Sequence, residues 1–158
     1  SDTGREPRKF LVVVDETPEC EQALLYAARR AERTGASVVA LVVVAPSEFQ
    51  HWLGVEERMR EEAEEEANEL LDRALNRLTK YTDKEPERRV IIADRTDGIR
   101  QLIAEDPSIA VLVLAAAGGP DGPGPLVSAI AGGQAGRYPV PITLVPGGLT
   151  LEEIDAIT

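Results

Sequence analysis

Cysteine is almost missing from this chain: Cys20 is the only one among 158 residues. An internal disulfide and a cysteine-built metal cluster are therefore excluded. Histidine is equally scarce. His51 stands alone, with no second histidine and no cysteine at ligand spacing, so no metal site is expected there. One histidine also leaves little general acid–base capacity near neutral pH. No G-x-S-x-G elbow, HExxH helix or Ser/His/Asp set is present, so the sequence is read as a binding module and not an enzyme. Aromatic residues make up only 4%, so the core must be built from Val, Leu, Ile and Ala. Basic residues are outnumbered 17 to 28, giving a net charge of −11. Such a surface repels nucleic acid and anionic membranes at long range, and neither is an expected partner. The longest apolar runs, Val38 to Ala45 and Ile109 to Ala117, fall short of the roughly 20 residues that cross a bilayer. The polar start, Ser1 to Lys9, has no signal-peptide core, so a cytoplasmic protein is expected. The expected layout is a flexible segment over 1–8, one domain over 9–146 and a tail over 147–158.

What is present centres on residues 108–133. The apolar run Ile109 to Ala117 empties into Gly118-Gly119-Pro120-Asp121-Gly122-Pro123-Gly124-Pro125, then a short apolar segment, Leu126 to Ala131, then Gly132-Gly133. A buried strand opening through a glycine-rich turn into a helix is how α/β proteins cradle phosphate.

The rest of the chain has the same rhythm. Phe10 to Val14 reads as a strand buried on both faces, closing on Asp15. A helix capped by Thr17 should run to about Arg33, with Cys20, Leu24, Ala27 and Ala31 inward and Gly35 as its stop. Cys20 reads as a small core residue. Val38 to Ala45 is a second strand, followed by Phe49, His51 and Trp52, read as loop anchors. A helix over 55–78 carries Met59, Ala63, Ala67, Leu70, Ala74 and Leu78 as its apolar stripe. Its acidic run, Glu61 to Glu66, reads as a solvated face. Arg89 to Ala93 is a third strand, Thr96 is the expected cap of a third helix, and proline-fenced Ile142 to Val145 reads as an edge strand. The last residues are compatible with one or two helical turns capped by Thr150.

Five apolar strands alternating with four helices predict an α/β fold. It is a single-domain open parallel sheet with helices on both faces. Ligands in such sheets sit beyond the strand C-termini where the order reverses; if the order is 3-2-1-4-5, that point lies between strands one and four. Asp15 and the Gly118–Gly124 loop are expected to face each other across that crevice.

At these residues the chain resembles the universal stress protein family over nearly its whole length, Lys9 to Pro146. The resemblance is carried by VVVDETPE, the helix ending RTGA, the strand SVVALVVV, the glycine loop and a final strand entered through Val-Pro-Ile. It implies an adenine-nucleotide-hydrolase-like fold, a stress-response role and a homodimer formed through Ile142–Val145. It also implies ATP or AMP with Mg as ligand. Gly119, Gly122 and Gly132 match the Gly-x2-Gly-x9-Gly spacing of nucleotide-binding members, with Gly118 as an alternative start. Gly133 stands where a Ser or Thr would follow. By the same resemblance Asp15 meets the adenine or ribose end and the backbone of Val43 reads the adenine. The chain departs from the pattern in its loop: Pro120, Pro123 and Pro125 carry no N–H, Asp121 adds a negative charge, and no Lys or Arg lies between Arg100 and Arg137. Two other readings stand beside it. One is a nucleotide-independent dimeric scaffold. The other is a phosphoacceptor switch using Asp15, Glu16 and Asp94, although Val145-Pro146-Gly147-Gly148 lacks the lysine such a switch needs.

Overall fold

The computed structural model describes residues 7–46, 56–133 and 135–158. Phe49, His51 and Trp52, the expected loop anchors, lie outside these residues. Five strands form one sheet: β1 (Lys9–Val13), β2 (Ser37–Val44), β3 (Glu87–Ile92), β4 (Ile109–Ala116) and β5 (Ile142–Pro146). Their order is β3-β2-β1-β4-β5, and every pairing is parallel. The expected strand order is the observed one. Unbroken Val/Leu/Ile/Ala runs suit strands covered on both faces, and β1, central in the sheet, buries Leu11 and Val12 completely.

Helices α1 (Cys20–Thr34), α2 (Glu56–Leu78) and α5 (Leu151–Ile157) cover one face, and α3 (Arg95–Glu105) and α4 (Pro125–Ala131) the other. The period-2 alternation of the strands divides the core between them. Val12, Val14, Ala40, Val42 and Val44 pack toward α1 and α2, whereas Leu11, Val13, Val39, Leu41 and Val43 pack toward α3 and α4.

The last segment forms α5, two helical turns behind the expected cap Thr150, completed by a full capping box with Glu153. Local details differ from the sequence expectation in three places. Thr17 does not cap α1. The helix starts three residues later at Cys20, and Thr17 instead donates to Asp15. Thr96 does not cap α3. Asp94 does, its side chain accepting from the Asp97 N–H. The buried stripe of α2 is rotated: Ala67, Leu71, Leu75 and Leu78 are buried, while Met59, Ala63, Leu70 and Ala74 are only partly covered. That rotation turns the Met59–Ala63–Leu70 side of the helix toward open space above the sheet.

At the opposite end of the strands, Lys9 holds the strand N-termini together. Its Nζ lies 2.7 Å from Asp106 Oδ2 and 3.1 Å from Glu87 Oε1.

Candidate functional site

The site begins with a ladder that stops early. In a parallel sheet, alternate residues of a strand direct both N–H and C=O to the same neighbour. On β2, the Leu41 carbonyl accepts from Val14 N–H at 2.7 Å, and the Val44 carbonyl accepts from Ala93 N–H at 3.0 Å on the β3 side. Val43 therefore directs its peptide groups toward β1. The next rung would join Val43 to the Val14 carbonyl and the Glu16 N–H, and neither bond is made. The chain turns away instead at Asp15, whose Oδ1 accepts from the Thr17 N–H at 2.9 Å and from the Thr17 hydroxyl. An aspartate closing such a turn on the backbone two residues ahead is a common local fold. The result is a donor and an acceptor of Val43 left without a rung, beside a carboxylate.

A cavity of about 550 Å³ opens there. Of the residues expected from sequence, Asp15 and Val43 line it. Met59, Ala63 and Leu70 of α2 and Leu126 of α4 give it apolar walls. Its charged lining is Asp15, Glu16, Glu62 and Glu66 against Arg95. Gly118, Gly119, Gly122, Gly132 and Gly133 stand outside the lining. Their loop folds on itself, with Ala117 N–H donating to the Pro123 carbonyl at 3.1 Å. Two motif glycines are accounted for by backbone geometry. Gly122 has φ +89°, and a Cβ on Gly132 would stand 2.6 Å from the Ser128 carbonyl oxygen. Gly119 and Gly133 have open space where a Cβ would be.

Cys20 lies under the Asp15 turn, its Sγ 4.0 Å from the Val13 carbonyl. Burial, above all, pushes its thiol up to about 11. A thiol so protonated is a packing residue, not a nucleophile. Asp94 sits at the end of β3, with β2 between β3 and β1. It is committed to capping α3. Its carboxyl is held below the usual aspartate range by the Thr96 hydroxyl, which donates at 2.7 Å, and by the Asp97 N–H. Asp15 and Asp94 thus do not share a lining, which removes the geometry a phosphoacceptor pocket requires. No group of three or more His, Cys, Asp or Glu is placed to hold a metal among the described residues.

Sequence reasoning missed Glu62, Glu66, Arg95 and Leu126. A signal exists for the two glutamates. They share one side of α2 with Met59, Ala63 and Leu70, at steps of three and four residues. Both are exposed, as the reading of the acidic run as a solvated face expects, and they also border the cavity.

The model of the universal stress protein family matches residues 6–146. The chain belongs to the universal stress protein family. Its fold is that of solved members. The universal stress protein UspA from Lactobacillus plantarum superposes with a TM-score of 0.70 at 17% identity, covering 90% of this chain and 99% of that one. A universal stress protein in complex with cAMP gives 0.61 at 15% identity, covering 91% and 100%. The Archaeoglobus fulgidus universal stress protein in complex with dAMP gives 0.60 at 19% identity, covering 87% and 97%. No curated protein matches the chain. No helix among the described residues is long and apolar enough to cross a membrane.

Proposed function

We propose that this universal stress protein is a non-enzymatic stress-response module that binds an adenine nucleotide, ATP or AMP, in the cavity between Asp15 and Val43. The observation that carries the reading is the missing rung. Val43 offers a backbone donor and acceptor side by side, and adenine offers an adjacent donor and acceptor in return. Apolar walls from Met59, Ala63 and Leu70 suit a flat heterocycle, and a few placed polar groups fix its orientation. Asp15 retains a second carboxylate oxygen that no hydrogen bond engages among the described residues, suited to a ribose hydroxyl. That two universal stress proteins of this fold are described with cAMP and dAMP supports the same assignment. The test is an amide NMR titration with AMP. Shifts centred on Val43, Asp15 and Thr17 are expected, and unmoved signals at millimolar AMP would rule the site out.

A scaffold role has its own supporting observation. β5 is an edge strand, and Leu144 on it is 42% exposed. We assign the homodimer contact to Ile142–Val145, where a second copy would cover Leu144. Light scattering at micromolar concentration should report a dimer, and Leu144→Lys should shift it to monomer. A native monomer would discard the assignment.

A further inference from the structure

We infer that the crevice selects among adenine compounds by charge, taking adenosine in preference to ATP. The inference rests on the adenine-site reading above and concerns what the remainder of the ligand meets. Four carboxylates line the cavity, and Arg95 is the one basic side chain in its described lining. Arg95 is itself engaged in an interaction within the protein.

The sequence extends this imbalance around the whole ligand-facing end of the sheet. No Lys or Arg lies between Lys9 and Arg29, between Arg33 and Arg58, between Arg100 and Arg137, or after Arg137. Those spans contain the connections that leave β1, β2, β4 and β5. Arg95, the first residue of α3 after β3, is the one Lys or Arg in or directly following any of the five connections. Acidic residues near helix starts are ordinarily explained by the helix dipole, an effect confined to the first turn. Glu62 and Glu66 lie deeper in α2, which begins at Glu56. They are one turn apart with like charge, a spacing that weakens a helix.

The glycine loop does not compensate. It closes on itself outside the cavity, and Pro120, Pro123 and Pro125 remove three of the N–H groups that would hold phosphate oxygens. Asp121 adds a further negative charge to the loop. An uncharged nucleoside keeps every contact offered by Val43 and Asp15 and meets none of this repulsion. Each added phosphate meets more of it.

Calorimetric titration of the intact protein with adenosine, AMP, ATP and MgATP, at one low ionic strength, tests the order. Adenosine should bind about tenfold more tightly than ATP, with AMP between them, and added salt should narrow the gap. The double variant Glu62→Gln/Glu66→Gln should raise ATP affinity by about threefold to tenfold while moving adenosine by less than about twofold. The salt series on the unaltered protein probes the same repulsion without a variant, and a gap that salt leaves unchanged would count against it. ATP or MgATP binding as tightly as adenosine would overturn the selection and leave the adenine site standing. Binding of none of the four would overturn both.

Discussion

Val14 donates to the Leu41 carbonyl across 2.7 Å, and no further rung joins β1 to β2. What ends the ladder is the turn that Asp15 makes with Thr17, so the acid has two separable roles. Its Oδ1 closes the turn, and its carboxylate faces the cavity. Asp15→Ala removes the acceptor for the Thr17 N–H and hydroxyl and should cost about 1 kcal/mol, lowering the melting temperature by about 2–4 °C. Asp15→Asn keeps an oxygen at that position and should melt like the native protein, yet should bind adenosine more weakly. Thermal melts of the two variants check this. Equal losses in both would mean that the turn does not depend on that acceptor.

Lys9 and Asp106 set a pH window for stability. Their side chains are 17% and 16% exposed, and the pair is 2.7 Å apart. Lys9 is raised above the ordinary lysine value chiefly by its hydrogen bond to Asp106, and Asp106 is lowered chiefly by Lys9. The raised lysine contributes fully below its unfolded pKa and loses that contribution as pH climbs through the native value. The lowered aspartate contributes above its unfolded pKa and loses it as pH falls through the native value. Lys9→Met should therefore destabilise by about 2 kcal/mol between about pH 4 and pH 10, and by less at either extreme. Urea unfolding across that range measures it. A penalty of the same size at every pH would show that packing of the lysine stem, not its charge, is what was lost.

The sheet was legible because its information is local. Phe10 to Val14, Val38 to Ala45 and Ile109 to Ala117 are unbroken apolar runs, and each became a strand within a residue or two. The alternation with helices indicated a parallel sheet but left more than one strand order open, of which 3-2-1-4-5 is the observed one. The caps were misplaced for a shared reason. In both Asp15-x-Thr17 and Asp94-x-Thr96 the aspartate accepts while the threonine donates to it, but only Asp94 caps its helix; α1 follows Glu19 with no side-chain cap. Distance along the chain does not rank the aspartate above the threonine. The missing rung at Val43 was illegible in a different way. It depends on β1 ending opposite Leu41 while β2 runs three residues further to Val44, a relation between segments well separated along the chain. The α2 face carrying Glu62 and Glu66 depends on the helix's rotation about its axis, and small alanines on two sides left that rotation undetermined.

The glycine loop separates motif membership from structural need. A Cβ at Gly132 would meet the Ser128 carbonyl oxygen at 2.6 Å, whereas Gly119 has nothing within 4 Å. Gly132→Ala should cost about 1–3 kcal/mol through displaced backbone, and Gly119→Ala should stay within about 0.5 kcal/mol of native. Chemical denaturation of both variants is the measurement. A Gly119→Ala protein as damaged as Gly132→Ala would show that the loop adopts a tighter arrangement than the one described.

The last prediction concerns α5, which lies beyond the residues matched by the family model. Ile154 is fully buried in the same core as Leu24, Ala28 and Ala31 of α1. Arg29 Nε lies 3.0 Å from Asp155 Oδ1, and the Arg30 guanidinium donates to the Thr158 carbonyl at 3.3 Å. A seven-residue helix has too few internal bonds to persist alone, so its order must come from this docking. Ile154→Ala should then cost about 2–4 kcal/mol, while Thr150→Ala, which removes one member of the capping box, should cost about 1 kcal/mol. If docking is the stronger cause, the core variant must exceed the cap variant in urea unfolding. The reverse order, or a native-like Ile154→Ala, would mean that α1 is sealed without α5 and that the segment after Pro146 only rests against the domain.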